Sequence, residues 1–315
     1  MNQPQPQAPM VSVVIPTYNE ESRIRNCLHS IFAQRTDHCF EVIIVDSSQD
    51  GTADVVRREF PEVQIIQRAQ QTFAAEARNI GIENARGSLV AFIDADCVAE
   101  PDWLNAIVSA HRGHFPAVGG PIALNTPATL AGTALFGIEF SEYGLSSPAR
   151  EIRWLPSCNL SVKRTALEQY GGFPTHMQAS EDMLFSRQLM EKSGAALWFD
   201  PAIRIRHSNR NDFAGLRSKM KTLGYWSGRS RAINVIPGGF LLRYPFTIPL
   251  LLPYRLGMVI ARLLFRSRDP RLIAMAILGW PLLGYGLWCW TCAFYRGIRS
   301  ASQPSVTSGS SGRID

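Results

Sequence analysis

The chain has 315 residues, 46% of them hydrophobic, and a formal net charge of +6. That length and apolar content exclude a disordered chain and a disulfide-held miniprotein, and allow one large domain or two small ones. Six cysteines (27, 39, 97, 158, 289 and 292) show no paired framework, which fits a reducing compartment.

The charge is unevenly spread. Residues 1–202 carry 15 Lys/Arg against 23 Asp/Glu, a net of −8, whereas residues 203–299 carry 16 against two, a net of +14. An acidic part suits a metal-using catalytic domain, and a basic part suits an anionic lipid surface or a nucleic acid.

Residues 1–10 are Pro/Gln-rich, without the basic and apolar regions of a signal peptide. They are expected to be disordered, with the first domain cytoplasmic. From Val11 short apolar runs alternate with amphipathic stretches. Strands are predicted at Val11–Ile15, Phe40–Val45, Val63–Gln67 and Leu89–Ile93, and helices at Ser22–Gln34, Thr52–Phe60 and Phe73–Ala85. This alternation indicates an α/β domain with a mostly parallel sheet flanked by helices. Open α/β sheets bind ligands beyond the carboxyl ends of their strands. Three loops there carry chemistry: Pro16-Thr17-Tyr18-Asn19-Glu20, Asp46 to Thr52, and Asp94-Ala95-Asp96. The two carboxylates at 94 and 96 suit Mg2+ or Mn2+ carrying a phosphate. Neither GxGxxG nor GxxxxGK[ST] follows the first strand, so a dinucleotide oxidoreductase and a P-loop NTPase lack their phosphate cradle.

After Gly120 the pattern loosens. Thr129–Tyr143 reads as helical, a loop from Arg153–Pro156 runs into Val162–Tyr170, and Gly171-Gly172-Phe173-Pro174 is a turn. Glu181–Lys192 reads as a helix, Ala196–Phe199 and Ile203–Arg206 as short strands, and Asn211–Trp226 as a basic helix. Trp154 and Asn159 stand in the stretch ahead of the Gly171-Gly172 turn. Lys219, Lys221, Arg229 and Arg231 flank Gly224-Tyr225-Trp226-Ser227-Gly228, a basic and aromatic stretch suited to interfacial docking.

The last part is apolar. Leu272–Tyr295 runs 24 residues without a charge between arginines, and its Trp280, Trp288, Trp290 and Tyr295 suit an interfacial belt, so it is expected to span a bilayer. This decides for the membrane and against nucleic acid as the partner of the basic half. Phe240–Phe265 is interrupted by three arginines and three prolines and reads as a broken membrane-surface element. Cys289 and Cys292 have CxxC spacing but no second pair, and read as small apolar residues. The expected domains are therefore a catalytic domain at 11–235, a membrane region at 236–299 and a disordered tail at 300–315.

Val11-Ser-Val-Val-Ile-Pro-Thr-Tyr-Asn-Glu20, Val45-Asp-Ser-Ser-Gln-Asp-Gly-Thr52, Ala77-Arg-Asn-Ile-Gly81, Asp94-Ala-Asp96 and Glu181-Asp182 occur in the order and spacing of family 2 glycosyltransferases, and about residues 10–210 resemble that family. The resemblance implies a GT-A fold, inversion at the anomeric carbon and a nucleotide-diphosphate-sugar donor, a UDP-sugar foremost. It implies that Pro16, Thr17, Tyr18, Glu20, Asp46, Arg78 and Asp94 bind the donor. Asp96, with Asp94 and with His207 nearby, would hold Mn2+ or Mg2+. Asp182 would be the catalytic base and Glu181 its support, with Trp154 and Asn159 on the acceptor side. With the membrane segment, this implies a glycan or lipid-linked acceptor in envelope or exopolysaccharide assembly, at the inner (cytoplasmic) membrane. The alternatives are a nucleotidyltransferase, which would want a Gly-rich basic loop after the first strand, and a non-catalytic nucleotide-sugar-binding scaffold.

Overall fold

The structure is a computed structural model and describes residues 8–125, 129–209, 212–233, 239–267 and 270–301. Of the disorder expected over 1–10 and 300–315, residues 1–7 and 302–315 lie outside the described residues, and residues 300 and 301 belong to a helix.

The first half follows the alternating pattern. Strand β1 (Val11–Thr17) leads to α1 (Ile24–Phe32), β2 (Phe40–Asp46) to α2 (Thr52–Glu59), and β3 (Gln64–Gln67) to α3 (Ala74–Asn84), before β4 (Leu89–Ile93). β1, β2 and β4 are apolar because layers cover both faces of the sheet, so Val13, Val14, Ile43, Ile44 and Phe92 are fully buried. Four elements that lack a readable period come next: β5 (Cys97–Ala99), α4 (Trp103–Ala110), β6 (Ala117–Gly119) and β7 (Ile122–Leu124). They are followed by α5 (Leu130–Phe140), β8 (Arg150–Ile152), β9 (Asn159–Lys163), α6 (Arg164–Tyr170), α7 (Glu181–Ser193), β10 (Leu197–Phe199), β11 (Ile205–His207) and α8 (Phe213–Ala232).

Eight strands form one sheet in the order β3-β2-β1-β4-β9-β6-β10-β8, and β5-β11-β7 form a second. β1 runs parallel to β2 and β4, and β2 to β3; β9 then enters antiparallel between β4 and β6. The register sets Thr17 beside Asp46, so the first two loops leave the sheet at one edge with the loop after β4. Asn19 takes a positive φ of 57° there. Its backbone N–H donates to Ser48 Oγ at 2.8 Å and its Oδ1 accepts from the Gln49 N–H at 2.9 Å, which laces the two loops together.

The C-terminal region differs from the sequence expectation. Residues 270–301 do not form one straight helix: α11 (Pro270–Leu278) and α12 (Trp280–Ala301) meet at a 75° bend at Gly279. The expected span over 272–295 is divided there, and α12 packs along α8. Gly224, Gly228 and Gly297 make this packing possible. A Cβ at Gly224 would lie 2.2 Å from the Trp290 carbonyl oxygen, at Gly228 2.1 Å from that of Phe294, and at Gly297 2.0 Å from that of Tyr225. The Gly224–Gly228 stretch, read from sequence as an interfacial motif, is thus a seam of small residues at which two backbones touch. Among the described residues, one helix is long and apolar enough to cross a membrane, Pro245–Ser267, with a mean hydropathy of 1.6, and the bent pair Leu272–Leu278 and Trp280–Ser300 is apolar enough to count as a second, broken span. The first contains α9's successor α10 (Leu251–Arg262), α9 being the short helix Gly239–Arg243. The segment read as broken does break at Tyr244; from Pro245 it runs on through a 3-10 stretch (Pro245–Leu250), α10 and a π-helical turn (Leu263–Ser267), with Pro253 in the first turn of α10, where a missing N–H costs little.

Candidate active site

Two cavities meet at Arg78. The first, of about 190 Å³, is lined by Pro16, Thr17, Tyr18 and Glu20 from the β1 loop, Thr72 and Ala74 before and in α3, Arg78, and Asp94, Ala95 and Asp96. The sequence placed all of these except Thr72, Ala74 and Ala95. Tyr18 stands at its rim, 37% exposed. Asp46 does not line it: the side chain is 1% exposed beneath Thr17, whose hydroxyl donates to its Oδ1 at 2.7 Å, and its Oδ2 is buried without a hydrogen-bond partner.

Glu20, Asp94 and Asp96 crowd their negative charges here. Burial, and then the Asp96 charge, pushes the Glu20 carboxyl above its ordinary range. Across from them, His207 Nε2 stands 3.5 Å from Asp96 Oδ1. Its Nδ1 lies 2.9 Å from Asn209 Oδ1, and the Asn209 amide donates to Glu139 Oε2 at 3.2 Å. That chain orients Asn209 so that His207 Nδ1 is the donor to it, and leaves Nε2 as the nitrogen facing Asp96, the way metal-ligating histidines are held through their other nitrogen. Asp96, Cys97 and His207 offer ligand atoms within 4.8 Å of one another. Sequence reading passed over Cys97; burial holds its thiol well above the usual range, so the carboxylate and imidazole are the pair that fits a divalent ion.

Arg78 is 2% exposed, and both its terminal nitrogens are taken. Nη2 binds Asp94 Oδ1 at 2.7 Å and Nη1 binds Glu181 Oε1 at 3.0 Å. The two carboxylates hold it charged, and its pKa is raised despite burial. The guanidinium therefore ties the β4 loop to the start of α7, beyond the nucleotide contact expected of it.

The second cavity, of about 450 Å³, begins on the other side of this bridge. Trp154, Ser157, Glu181, Asp182, His207 and Lys219 line it from one side, and Arg255, Arg262 and Trp290 from the other. Ser180 enters α7 with φ 65°, which turns the following acids inward. Burial, and then the Glu181 charge, raises Asp182 to about 7, against hydrogen bonds from the Met183 and Ser157 backbone. A carboxylate tuned near neutrality can take a proton from a hydroxyl. Lys219 lies 3.5 Å from Glu139, which raises it to about 12.

One expectation is corrected. Asn159 is not on the acceptor side: it is 0% exposed, its Oδ1 accepts from Trp103 Nε1 at 2.9 Å, and its Nδ2 donates to the carbonyls of Pro121 (3.1 Å) and Ile203 (2.9 Å). Every hydrogen-bonding arm is spent on holding the two sheets together. Trp154 does line the cavity. Arg255, Arg262 and Trp290 were not foreseen; arginines seven apart in an apolar stretch, too costly to face lipid, were the available signal.

The chain resembles proteins of known activity. A glycosyltransferase of Haloferax volcanii, AglE, is 31% identical over 198 residues, 61% of this chain and 64% of the relative's length. The glucosyl-dolichyl phosphate glucuronosyltransferase of the same organism is 27% identical over 247 residues, covering 71% of this chain and 76% of the relative. The solved structure of a mannosyltransferase from Pyrobaculum calidifontis, in complex with GDP-Man and Mn2+, superposes over 94% of this chain and 87% of its own with a TM-score of 0.58 at 22% identity, a likeness of fold. Residues 12–194, more than half of the chain, match the family described as Glycosyl transferase family 2, and the chain belongs to that family of glycosyltransferases.

Proposed function

We propose that the protein moves a sugar, with inversion, from a nucleotide-diphosphate sugar to a hydroxyl of a lipid-linked acceptor at the cytoplasmic face of a membrane. The observation that carries the reading is the pair of cavities joined at Arg78, one acidic and one holding a carboxyl raised to about 7.

The donor belongs in the first cavity. Tyr18 offers a face to a base, and Asp46 braces that loop from beneath by accepting from the Thr17 hydroxyl. The neighbour holding GDP-Man supports a nucleotide-sugar donor; the base follows the resemblance, a UDP-sugar foremost. Asp96 and His207 would hold Mn2+ or Mg2+, which supplies positive charge to a departing diphosphate. Asp182 takes the proton of the acceptor hydroxyl as it attacks the anomeric carbon, Glu181 and Arg78 fix the end of α7 that carries it, and Trp154 stacks beside the acceptor. The second cavity excludes water from the donor carbon when an acceptor fills it.

The membrane side rests on the C-terminal helices. Of the large hydrophobic side chains that are exposed, Phe240, Phe246, Leu250, Tyr254, Leu264, Phe265, Trp280 and Trp288 cluster there. Such a surface beside a basic stretch suits anionic lipid. The relative named for a glucosyl-dolichyl phosphate substrate supports a lipid-linked acceptor, and envelope or exopolysaccharide assembly follows by analogy.

The test is full-length protein in detergent with Mn2+ and a panel of nucleotide sugars, scored for donor binding and nucleotide release. Binding and turnover of one donor, lost in Asp96→Ala, is the expected result. No donor binding across the panel overturns the reading in favour of a scaffold.

A further inference from the structure

The second cavity contains a cation, Arg255, that no carboxylate among the described residues neutralises. Arg255 lines it together with Asp182, and its guanidinium lies 4.0 Å from the Trp290 ring centroid. Its Nε is buried without a hydrogen-bond partner. Among the described residues no carboxylate pairs with it; the charged groups acting on it most strongly are Arg231 and Arg262, of the same sign. By contrast, Arg262 and Arg266 share Glu142, at 3.0 and 3.7 Å, and Lys219 has Glu139. Arg255 is half-buried with its Nε withdrawn from water, and a guanidinium so placed without an anion is costly, so the site is short of one negative group.

The helix that carries Arg255 is two-faced. Arg255, Val259 and Arg262 follow one another at i, i+4 and i+7, with Val259 buried and both arginines on the cavity wall. Tyr254, Ile260, Leu264 and Phe265 are exposed on the same helical stretch. One face is built for hydrocarbon and the other for an anion.

We infer that Arg255, stacked on Trp290, is the subsite for the phosphate of a lipid-phosphate acceptor, and that the sugar being extended is joined directly to that phosphate. The second half follows from the shared cavity: Asp182 and Arg255 line one space of about 450 Å³, so the attacking hydroxyl and the phosphate belong to neighbouring groups. The acceptor class is thus a short glycosyl-phospho-lipid rather than the end of a long polymer. Arg262 lies two turns further along the wall and already has Glu142 as its partner, which leaves Arg255 as the group that meets the phosphate. This inference rests on the proposed glycosyl transfer for its chemistry, but not for its binding test.

The experiment uses full-length protein in detergent with Arg255→Gln, Arg255→Lys and Arg262→Gln. Thermal shift is read with decaprenyl phosphate, decaprenol and inorganic phosphate. Stabilisation of the wild type by decaprenyl phosphate alone, lost in Arg255→Gln and partly kept in Arg255→Lys, is expected. Equal stabilisation by inorganic phosphate reduces the site to a free-anion site, and no difference between the wild type and Arg255→Gln overturns the assignment. In the transfer arm, hexosyl-phospho-farnesols are compared with neutral hexosyl farnesyl ethers. Arg255→Gln is expected to raise KM tenfold or more for the phosphate series only, and Arg255→Lys to recover part of that loss. An equal loss on both series makes Arg255 merely structural. Absence of donor binding in the wild type would sink the transfer reading while leaving the lipid-phosphate result standing.

Discussion

At the scale of single residues, the chemistry turns on two acids that behave differently. Asp182 is expected to act only when deprotonated, so transfer should climb as pH rises through about 7 and then level off. Asp182→Asn should cut kcat by about 10²- to 10⁴-fold with donor affinity within a factor of two, by calorimetry. Because its folded pKa is raised from 3.8, the native state gains protons that the unfolded chain gives up, and stability falls between about pH 4 and pH 7. The Asn variant should therefore melt higher than the wild type at pH 8 and not at pH 4, by about 1–3 kcal/mol with the neighbouring Arg78 offsetting part of it. Glu181 is held by Arg78 instead. Arg78→Met should cost about 3–5 kcal/mol in chemical denaturation, since it strands two carboxylates, and Lys should not rescue it because one ammonium cannot span both. The Asp94 and Glu181 motifs were legible in the chain, but their common partner was not: Arg78 and Glu181 are 103 residues apart. Asn159 misled for the opposite reason, since a polar residue beside a loop looks exposed until three bonds to distant residues are seen.

At the scale of elements, long periods were readable and short ones were not. β4 has the bounds its apolar run gave, and α2, α3 and α7 differ by a residue or so. β5, β6, β7 and β8 have three residues each, too few to show alternation, and they become strands because neighbours supply their hydrogen bonds. Residues 162–170 divide between the end of β9 and α6 at Lys163, which no breaker residue marks. The seam of α8 and α12 belongs at this scale. Gly228→Leu would drive a side chain into the Phe294 backbone, which cannot give way as a side chain tip could. A loss of at least about 2–3 kcal/mol is expected, seen as a lower denaturation midpoint, whereas the same change at Gly257, with open space around it, should be near neutral.

At the scale of the molecule, the +14 charge of residues 203–299 and the exposed aromatic side chains of the last helices lie in one region. Binding to vesicles containing phosphatidylserine should exceed binding to neutral vesicles and weaken between 0.05 and 0.5 M salt, with a residual salt-resistant part from the apolar side chains. Sedimentation with vesicles measures both parts. The sequence divided catalytic and membrane regions at about residue 235, because composition changes there. Folding does not respect that division, since α12 returns to lie along α8 and carries Trp290 into the acceptor cavity.

The 75° bend at Gly279 has a chemical consequence as well as a geometric one. Beyond it Trp290 lines the second cavity, and among the described residues none after it lines the first. A chain stopped at residue 279 would keep its nucleotide sugar but leave the anomeric carbon open to solvent, so its product should be free sugar, as in a hydrolase. The ratio of free sugar to glycosylated lipid would then show how far the last helix decides which nucleophile wins.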